Sequence, residues 1–323
     1  MASPHVLTVT VNPALDVAVS VEYLVPDHKL EALDHRRELG GGGVNVARVL
    51  RRLDVGSRAW MAVGGAVGDE LLSLAADEGI DAVAHRIDGA TRESIAVSDR
   101  KTGHQYRIVL PGPSITDHGS MLADIESLAA DVDVVVLSGG LPPGVPEDFY
   151  RTLCDALEHA TTVVDAKGAA LARTLESSAD VVKPSRRELA SLVSWVPGDR
   201  NGVELAARQV LERGRVGALA VSLGGDGALL VPRDGPTTRF AAPEVTVAST
   251  VGAGDSMVAG LVAGLVVGEP LVEAVRRGVA AGSAAAMTPG TDLCHRPDVD
   301  ALLPQVQVTG WAVSTMRMPA PRR

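Results

Sequence analysis

The chain has 323 residues, of which 46% are hydrophobic, which is enough for a large core in one or two domains. Its formal net charge of −10 argues against a general nucleic-acid-binding or acidic-membrane-binding surface. Cys154 and Cys294 lack metal-type spacing and indicate a reducing compartment without disulfides. Because no signal-peptide pattern or membrane-length apolar run occurs, we expect a cytoplasmic protein.

The first half of the chain alternates apolar strands with helices, and two more polar excursions interrupt this alternation. Strands are predicted over 6–11, 57–63 and 82–86, and helices over 44–50 and 69–78. Residues near 15–39 and 92–110 instead alternate apolar and polar side chains, which is typical of strands with one exposed face. The second excursion is a hairpin whose polar turn ends at Gly103. We predict that the two excursions together form a small β-sheet lid.

The second half continues the alternation and ends in two apolar helices. Strands are predicted over 132–137, 162–165, 181–183, 218–223 and 228–231, and the last helices over 255–267 and 271–287. Continuous apolar strands between helices indicate a mostly parallel sheet with helices on both faces. The predicted fold class is therefore α/β, with one domain over 1–303. Residues 304–323 are predicted to form a loosely held C-terminal tail, in which Trp311 is a candidate to dock on the domain.

One helix start in this second half has the features that phosphoryl transfer requires. Gly252-Ala253-Gly254 leads into an apolar helix, whose unpaired amides and dipole attract an anion. Asp255 follows directly, where it should be ionised and able to take a proton from a hydroxyl. Amides for a phosphate beside a carboxylate for an alcohol indicate phosphoryl transfer to a hydroxyl. A glycine turn with an ordinary acidic residue would have the same local pattern.

Glycine-rich or polar segments follow several other predicted strands. In an open parallel sheet, ligands bind beyond the carboxyl ends of the strands, so these segments should meet at one edge. Each cluster alone is compatible with a simple turn, but five at the same edge favour a ligand site. The segments are Asp16, 40–45, 138–143, 183–188 and 222–227.

Several of these residues also have structural explanations that the sequence leaves open. Ser185 and Glu188 match a helix capping box, and Lys183 could extend from a strand end into solvent. Arg92 and Arg107 could be solvated lid residues. The sequence has no Walker-type phosphate loop, no dinucleotide-binding glycine motif after the first strand, and no metal-ligand spacing among its eight histidines.

Two motifs resemble those of the ribokinase-like PfkB carbohydrate kinases, and the likeness extends over almost the whole chain. Gly-Gly-Gly-Gly-Val-Asn-Val-Ala-Arg (40–48) resembles the first family motif, and Ser249 to Met257 resembles the second, which is highly specific. The stretches 12–16, 105–107, 138–144 and 278–285 resemble the phosphosugar kinases of this family. The resemblance implies a ribokinase-like fold with a β lid.

The resemblance also implies an activity. The expected reaction is ATP-dependent phosphorylation of the C1 hydroxyl of fructose 6-phosphate, giving fructose 1,6-bisphosphate in glycolysis. Fructose 1-phosphate and tagatose 6-phosphate are alternative substrates. A sugar-phosphate-binding regulator without catalysis is an alternative from another class, against which the intact Asp255 argues. The family further implies Mg²⁺, a monovalent cation such as K⁺ near the anion site, and a homodimer formed through the lid.

Individual residues receive expected roles from the same resemblance. Asp255 is the expected base, and the amides of Gly252, Ala253 and Gly254 would stabilise the transferred phosphoryl group. Glu188 would help to place magnesium. The expected substrate-binding residues are Asp16, Gly41, Gly42, Asn45 and Ser138, with Lys29, Arg92 and Arg107 at the sugar phosphate. The expected ATP-binding residues are Lys183, Ser185, Ser222, Gly224, Gly227 and Ser283.

Some positions depart from the family pattern, and they concern the substrate more than the fold. Ser185 stands where Asn is usual. Glu31 stands where a basic residue usually follows Lys29, and it would repel a sugar phosphate unless it points away. Arg36 and Arg37 are candidates to supply the missing positive charge. Two further departures are Gly140, where serine is common, and Lys167, where a small polar residue is usual.

Overall fold

The structure, a computed structural model, describes residues 5–193 and 200–310. A ten-stranded sheet forms the centre of the main body, and a separate four-stranded sheet forms a lid. The strands are β1 (Val6–Thr10), β2 (Ala14–Val21), β3 (Asp34–Gly40), β4 (Ser57–Val63), β5 (Asp81–Arg86), β6 (Arg92–Asp99), β7 (Gln105–Val109), β8 (Val134–Ser138), β9 (Thr161–Asp165), β10 (Val181–Val182), β11 (Ala218–Ser222), β12 (Ala228–Pro232), β13 (Thr238–Ala241) and β14 (Gln307–Thr309).

Helices connect most of the parallel strands. They are α1 (Gly42–Arg52), α2 (Gly65–Asp77), α3 (His118–Ala129), α4 (Phe149–Ala156), α5 (Gly168–Thr174), α6 (Arg186–Leu192), α7 (Arg200–Arg213), α8 (Ala253–Val266), α9 (Leu271–Ala286) and α10 (Arg296–Leu302). Within residues 5–193 and 200–310, no helix combines the length and the apolar character needed to cross a membrane.

The main sheet has the strand order β14-β13-β12-β11-β10-β9-β8-β1-β4-β5. The strands from β11 to β5 in this order pair in parallel, whereas β12, β13 and β14 add antiparallel pairs at one end. The carboxyl ends of the parallel strands therefore meet at one edge, which is where ligands bind in such sheets. The predicted α/β class, with its mostly parallel sheet, is confirmed.

Both faces of this sheet are buried. In β8, Val134 and Val136 belong to the core on one face, which includes α1, α8 and α9, while Val135 and Leu137 belong to the core on the other face, which includes α3, α4 and α7. Successive side chains of a strand point to opposite faces, so a strand buried on both faces must be continuously apolar. This is why the apolar strands of the sequence could be recognised without an alternating pattern.

The lid has the strand order β3-β2-β6-β7. Strands β2 and β6 pair in parallel, with Asp16 opposite Ser94, and each also pairs antiparallel with its hairpin partner. The lid thus combines the two excursions, as predicted from their alternating pattern. All five residues of β7 are exposed.

The C-terminal segment differs from the prediction. Gln307–Thr309 pair with Arg239–Ala241 of β13 and extend the main sheet instead of starting a loose tail. An antiparallel edge strand has unpaired backbone groups, and a short segment can satisfy them regardless of its side chains. Trp311 and the remainder of the tail lie outside the described residues.

Candidate active site

A cavity of about 270 Å³ lies between the lid and the carboxyl edge of the main sheet. It contains polar groups from both sheets, and three of the five predicted strand-end segments contribute to it: Asp16, 40–45 and 138–143. The predicted residues that line it are Asp16, Gly41, Gly42, Asn45, Arg92, Arg107, Ser138, Gly252 and Asp255. Further lining residues that the sequence analysis did not select as site residues include Asn12, Ser94, Asp165, Lys167 and Thr291.

Asp255 lies in the first turn of α8, at one end of this cavity. Gly252 caps the helix in the left-handed region, with φ 76°, a conformation that glycine adopts without steric cost. Asn45 Nδ2 of α1 donates a hydrogen bond of 2.8 Å to Asp255 Oδ2. The bond fixes the carboxylate and leaves its other oxygen for a ligand.

The surroundings of Asp255 tune it as a base. Burial in the cleft and the neighbouring carboxylate of Asp165 raise the pKa of Asp255 to about 6, against the opposing effects of Asn45 and Lys183. Its carboxylate is therefore mostly ionised at pH 7, yet it holds a proton more readily than an ordinary aspartate. A pKa slightly below the operating pH suits a general base.

Asp165 ends β9 and forms a buried ion pair below Asp255. Lys183 Nζ lies 3.1 Å from Asp165 Oδ2, and the Lys183 side chain is only 4% exposed. Burial alone would lower the pKa of Lys183, but the carboxylates of Asp165, Glu188 and Asp255 raise it, so the ammonium stays protonated. Lys183 is thus an internal cation and does not extend into solvent.

The opposite end of the cavity carries the lid arginines. Arg107 Nη2 lies 3.8 Å from Asp16 Oδ1, and Arg92 Nη2 donates to Asn12 O at 3.1 Å. Burial raises the pKa of Asp16, although Arg107 opposes the shift. Arg92 and Arg107 lie here beside Asp16, with Glu38 also near it, and a pair of guanidinium groups suits a phosphate.

Other predicted cations do not reach this cavity. Lys29 and Glu31 are both exposed on the loop between β2 and β3, and neither lines the cavity. Arg37 is held by Glu70 through bonds of 2.6 and 2.8 Å, and Arg36 lines a separate cavity of about 250 Å³ beside the lid. The structure therefore removes Arg37 as a replacement cation and places Glu31 away from the cavity.

Ser138 places a hydroxyl at the cavity wall that no described protein group satisfies. Its Oγ atom is buried and has no hydrogen-bond partner among the described residues. A Cβ atom on Gly42 would lie 2.2 Å from this oxygen, so only glycine fits opposite it. An unpaired buried hydroxyl is costly unless a ligand satisfies it.

A second cavity, of about 260 Å³, lies on the other side of the α8 start. Its wall is largely apolar and includes Val245, Val247, Met257 and Val279, as expected for a site that accepts a flat heterocycle. The predicted ATP-site residues in its lining are Ser222, Gly224, Gly227 and Ser283, together with Ala253 and Gly254. Gly252 lines the first cavity, so the α8 amides lie where the two cavities meet.

The remaining predicted ATP and metal residues lie outside both linings. Ser185 Oγ accepts from Glu188 N at 3.2 Å, and Glu188 Oε2 accepts from Ser185 N at 2.8 Å. This is the reciprocal capping box that the sequence offered as an alternative. Lys183 lies close to the start of α8, where the two cavities meet. A Cβ atom built on Gly254 in the first turn of α8 would be 3.7 Å from Lys183 Nζ.

The arrangement suits phosphoryl transfer between two ligands. One cavity holds a carboxylate at one end and guanidinium groups at the other, and the second is apolar and glycine-lined. Helix-start amides lie between them, where a transferred phosphoryl group would develop charge.

Comparisons with known proteins agree with this geometry. A family model described as pfkB family carbohydrate kinase matches residues 14–298. An ATP-dependent 6-phosphofructokinase isozyme 2 of Mycobacterium tuberculosis is 40% identical over 301 residues, covering 92% of this chain and 88% of the relative. A 1-phosphofructokinase of Bacillus subtilis is 33% identical over 317 residues, covering 94% of this chain and 99% of the relative.

Solved structures give the same result. Phosphofructokinase-2 of Escherichia coli in complex with potassium has a TM-score of 0.87 and 34% identity, covering 94% of this chain and 99% of that protein. The same protein in complex with fructose-6-phosphate has a TM-score of 0.84 and 33% identity, with the same coverage of both chains. Because the family model matches residues 14–298, most of this chain, the chain belongs to the pfkB family of carbohydrate kinases.

Proposed function

We propose that the protein is a cytoplasmic ATP-dependent 6-phosphofructokinase that phosphorylates the C1 hydroxyl of fructose 6-phosphate. The observation that carries this function is the placement of Asp255 and the α8 amides between two cavities, one with the lid arginines at its far end. The names of the relatives support the same substrate. We propose that the kinase domain predicted over residues 1–303 extends beyond residue 303, because β14 (Gln307–Thr309) belongs to its main sheet.

In the proposed reaction, the sugar phosphate binds Arg92 and Arg107, and the C1 hydroxyl reaches Asp255. Lys29 lies outside the cavity on its exposed loop and would join the phosphate only when the lid closes. Asp16, Asn45 and Ser138 hold the sugar hydroxyls, together with the backbone at Gly41 and Gly42. These contacts fix the substrate with its reacting hydroxyl toward the α8 amides.

The chemical step then requires little rearrangement by the protein. The C1 oxygen attacks the γ-phosphorus as the bond from that phosphorus to ADP breaks, and the hydroxyl proton moves to Asp255 late in the step. The amides of Gly252, Ala253 and Gly254 stabilise charge on the phosphoryl oxygens. Closure of the lid excludes water, which would otherwise compete with the sugar.

The residues present fit a nucleotide with Mg²⁺. Ser222, Gly224, Gly227 and Ser283 line a largely apolar cavity suited to the nucleoside. Magnesium usually binds one or two carboxylates besides phosphate and water, and Asp165 and Glu188 flank Lys183 close to Asp255. Bound Mg²⁺ would neutralise phosphate charge. Glu188 and Ser185 lie outside both cavity linings in their capping box, so they would contribute to the metal site through water. A monovalent cation such as K⁺ would bind near the anion site.

A panel of phosphorylated and free sugars tests the function. We expect ADP release with ATP and fructose 6-phosphate, at kcat/KM at least tenfold above that with fructose 1-phosphate or tagatose 6-phosphate. The 1-phosphofructokinase relative makes fructose 1-phosphate the main competing substrate. Turnover only with an unphosphorylated sugar would contradict the phosphosugar assignment. Sugar-phosphate binding without turnover of any sugar would indicate the non-catalytic regulator.

We also propose a homodimer formed through the lid. Strand β7 presents Tyr106 and Ile108 on the lid face away from the cavity, with 44% and 53% of their surface exposed, and a second lid would cover them. We expect light scattering to give about twice the chain mass of 33.4 kDa. Ile108→Asp should shift the protein toward monomer, whereas Val267→Asp, at an exposed position in the main body, should not. Equal masses for wild type and Ile108→Asp would contradict the lid interface.

A further inference from the structure

Lys167 lines the sugar cavity at its Asp255 end, a position where the family usually has a small polar residue. It follows β9 and directly precedes the first residue of α5. Its side chain is exposed and makes no capping bond to α5, and Lys167 has no ion-pair partner within 4.0 Å among the described residues. Among the described residues this ammonium group therefore has no hydrogen-bonded or ion-paired partner, although its charge acts on Asp165 and Asp255.

The cations that line the cavity, together with Lys183 just outside its lining, are divided between its two ends. At the lid end, the charges of Arg107 and Arg92 act on Asp16. At the other end, the charges of Lys183 and Lys167 act on Asp255. A phosphosugar likewise has two anionic positions during the reaction, its own phosphate and the phosphoryl group arriving at the distant hydroxyl.

Of the two lysines at the Asp255 end, only Lys167 is free to move. Lys183 is 4% exposed and is held 3.1 Å from Asp165, so its ammonium cannot follow a moving phosphoryl group. Lys167 is carried by the loop between β9 and α5 and lines the cavity beside Gly252 and Asp255. A flexible four-carbon stem lets an ammonium group follow a charge that shifts during the reaction.

We propose that Lys167 Nζ contacts the transferring phosphoryl group and stabilises the charge on its oxygens. This role rests on the proposed phosphosugar kinase function and adds a catalytic residue to it. In the step, the C1 oxygen forms a bond to the γ-phosphorus, and the bond from that phosphorus to ADP breaks. The hydroxyl proton goes to Asp255, and Lys167 stays protonated throughout.

Steady-state kinetics of Lys167→Met test this role. Because a preorganised donor to a developing anion contributes mainly in the transition state, we expect kcat to fall about 10- to 100-fold. The KM for fructose 6-phosphate should stay within about twofold. Lys167→Arg should recover part of the rate. The matched control is Lys101→Met, because Lys101 is an exposed lysine of the lid turn outside the cavity linings, and it should leave kcat unchanged.

Two further measurements separate this role from a structural one. Lys167→Met should weaken the binding of ADP with aluminium fluoride, a mimic of the transferring phosphoryl group, more than that of ADP alone. The acid limb of its kcat/KM profile should also move to higher pH. Removing the positive charge of Lys167 raises the pKa of Asp255, so a higher pH is needed to ionise this base.

The outcomes distinguish this role from the proposed function itself. A wild-type protein that turns over no phosphosugar would overturn both. With an active wild type, an unchanged kcat for Lys167→Met would overturn only the role of Lys167. A raised KM for fructose 6-phosphate at unchanged kcat would also overturn it, since Lys167 would then bind the substrate phosphate.

Discussion

Asp255→Asn is expected to lower kcat by about 10²- to 10⁴-fold, the usual contribution of a positioned general base. The amide has the same shape as the carboxylate but cannot accept the hydroxyl proton. Because the nucleotide cavity lies on the other side of the α8 start, the Kd for ATP should change by less than about twofold. Single-turnover kinetics and nucleotide titration measure the two quantities separately.

The matched control for this variant is Asp298→Asn. Asp298 lies in the first turn of α10, so it has the same favourable position relative to a helix dipole but does not line either cavity. We expect Asp298→Asn to keep wild-type kcat. If Asp255→Asn retained more than about a tenth of the wild-type kcat, proton removal by Asp255 would not limit the reaction, and its role would be reduced to binding.

The parts of the site that sequence reasoning predicted are those formed by contiguous residues. The α8 start could be recognised because Gly252 and Asp255 are neighbours in the chain and each has a local physical requirement. The capping box of Ser185 and Glu188 could be predicted for the same reason, because the two residues are three positions apart in the first turn of one helix. What spacing could not show was that this box lies outside the linings of both cavities.

Interactions between distant segments were not available from the sequence. Asn45 and Asp255 are 210 positions apart, and their hydrogen bond depends on how α1 packs beside α8. Asp165 was missed because an aspartate ending an apolar strand is common, and its role becomes apparent only beside Lys183. Lys29 was selected by resemblance, yet its loop is exposed, and no local pattern specifies where such a loop lies.

The ion pair of Asp165 and Lys183 leads to the second large expected effect, on stability. Asp165→Asn removes the ion-pair partner of a buried ammonium and leaves it only the carboxylates of Glu188 and Asp255, which form no ion pair with it. Breaking such a buried pair costs about 3–5 kcal/mol. We expect the free energy of unfolding, measured by urea denaturation, to fall by about this amount. The double variant Asp165→Asn with Lys183→Met should be more stable than Asp165→Asn alone, because it also removes the uncompensated charge.

The same variant changes how activity depends on pH. In the wild type, Asp255 is a base with a pKa of about 6, so kcat/KM should rise as pH increases through this value and then level off. The negative charge of Asp165 contributes to raising that pKa, and its removal favours the ionised form of Asp255. The rise in kcat/KM, normalised to its plateau, should therefore move to lower pH in Asp165→Asn. A rise that stayed near pH 6 while stability fell would mean that Asp165 holds Lys183 but does not tune the base, leaving burial as the cause of the raised pKa.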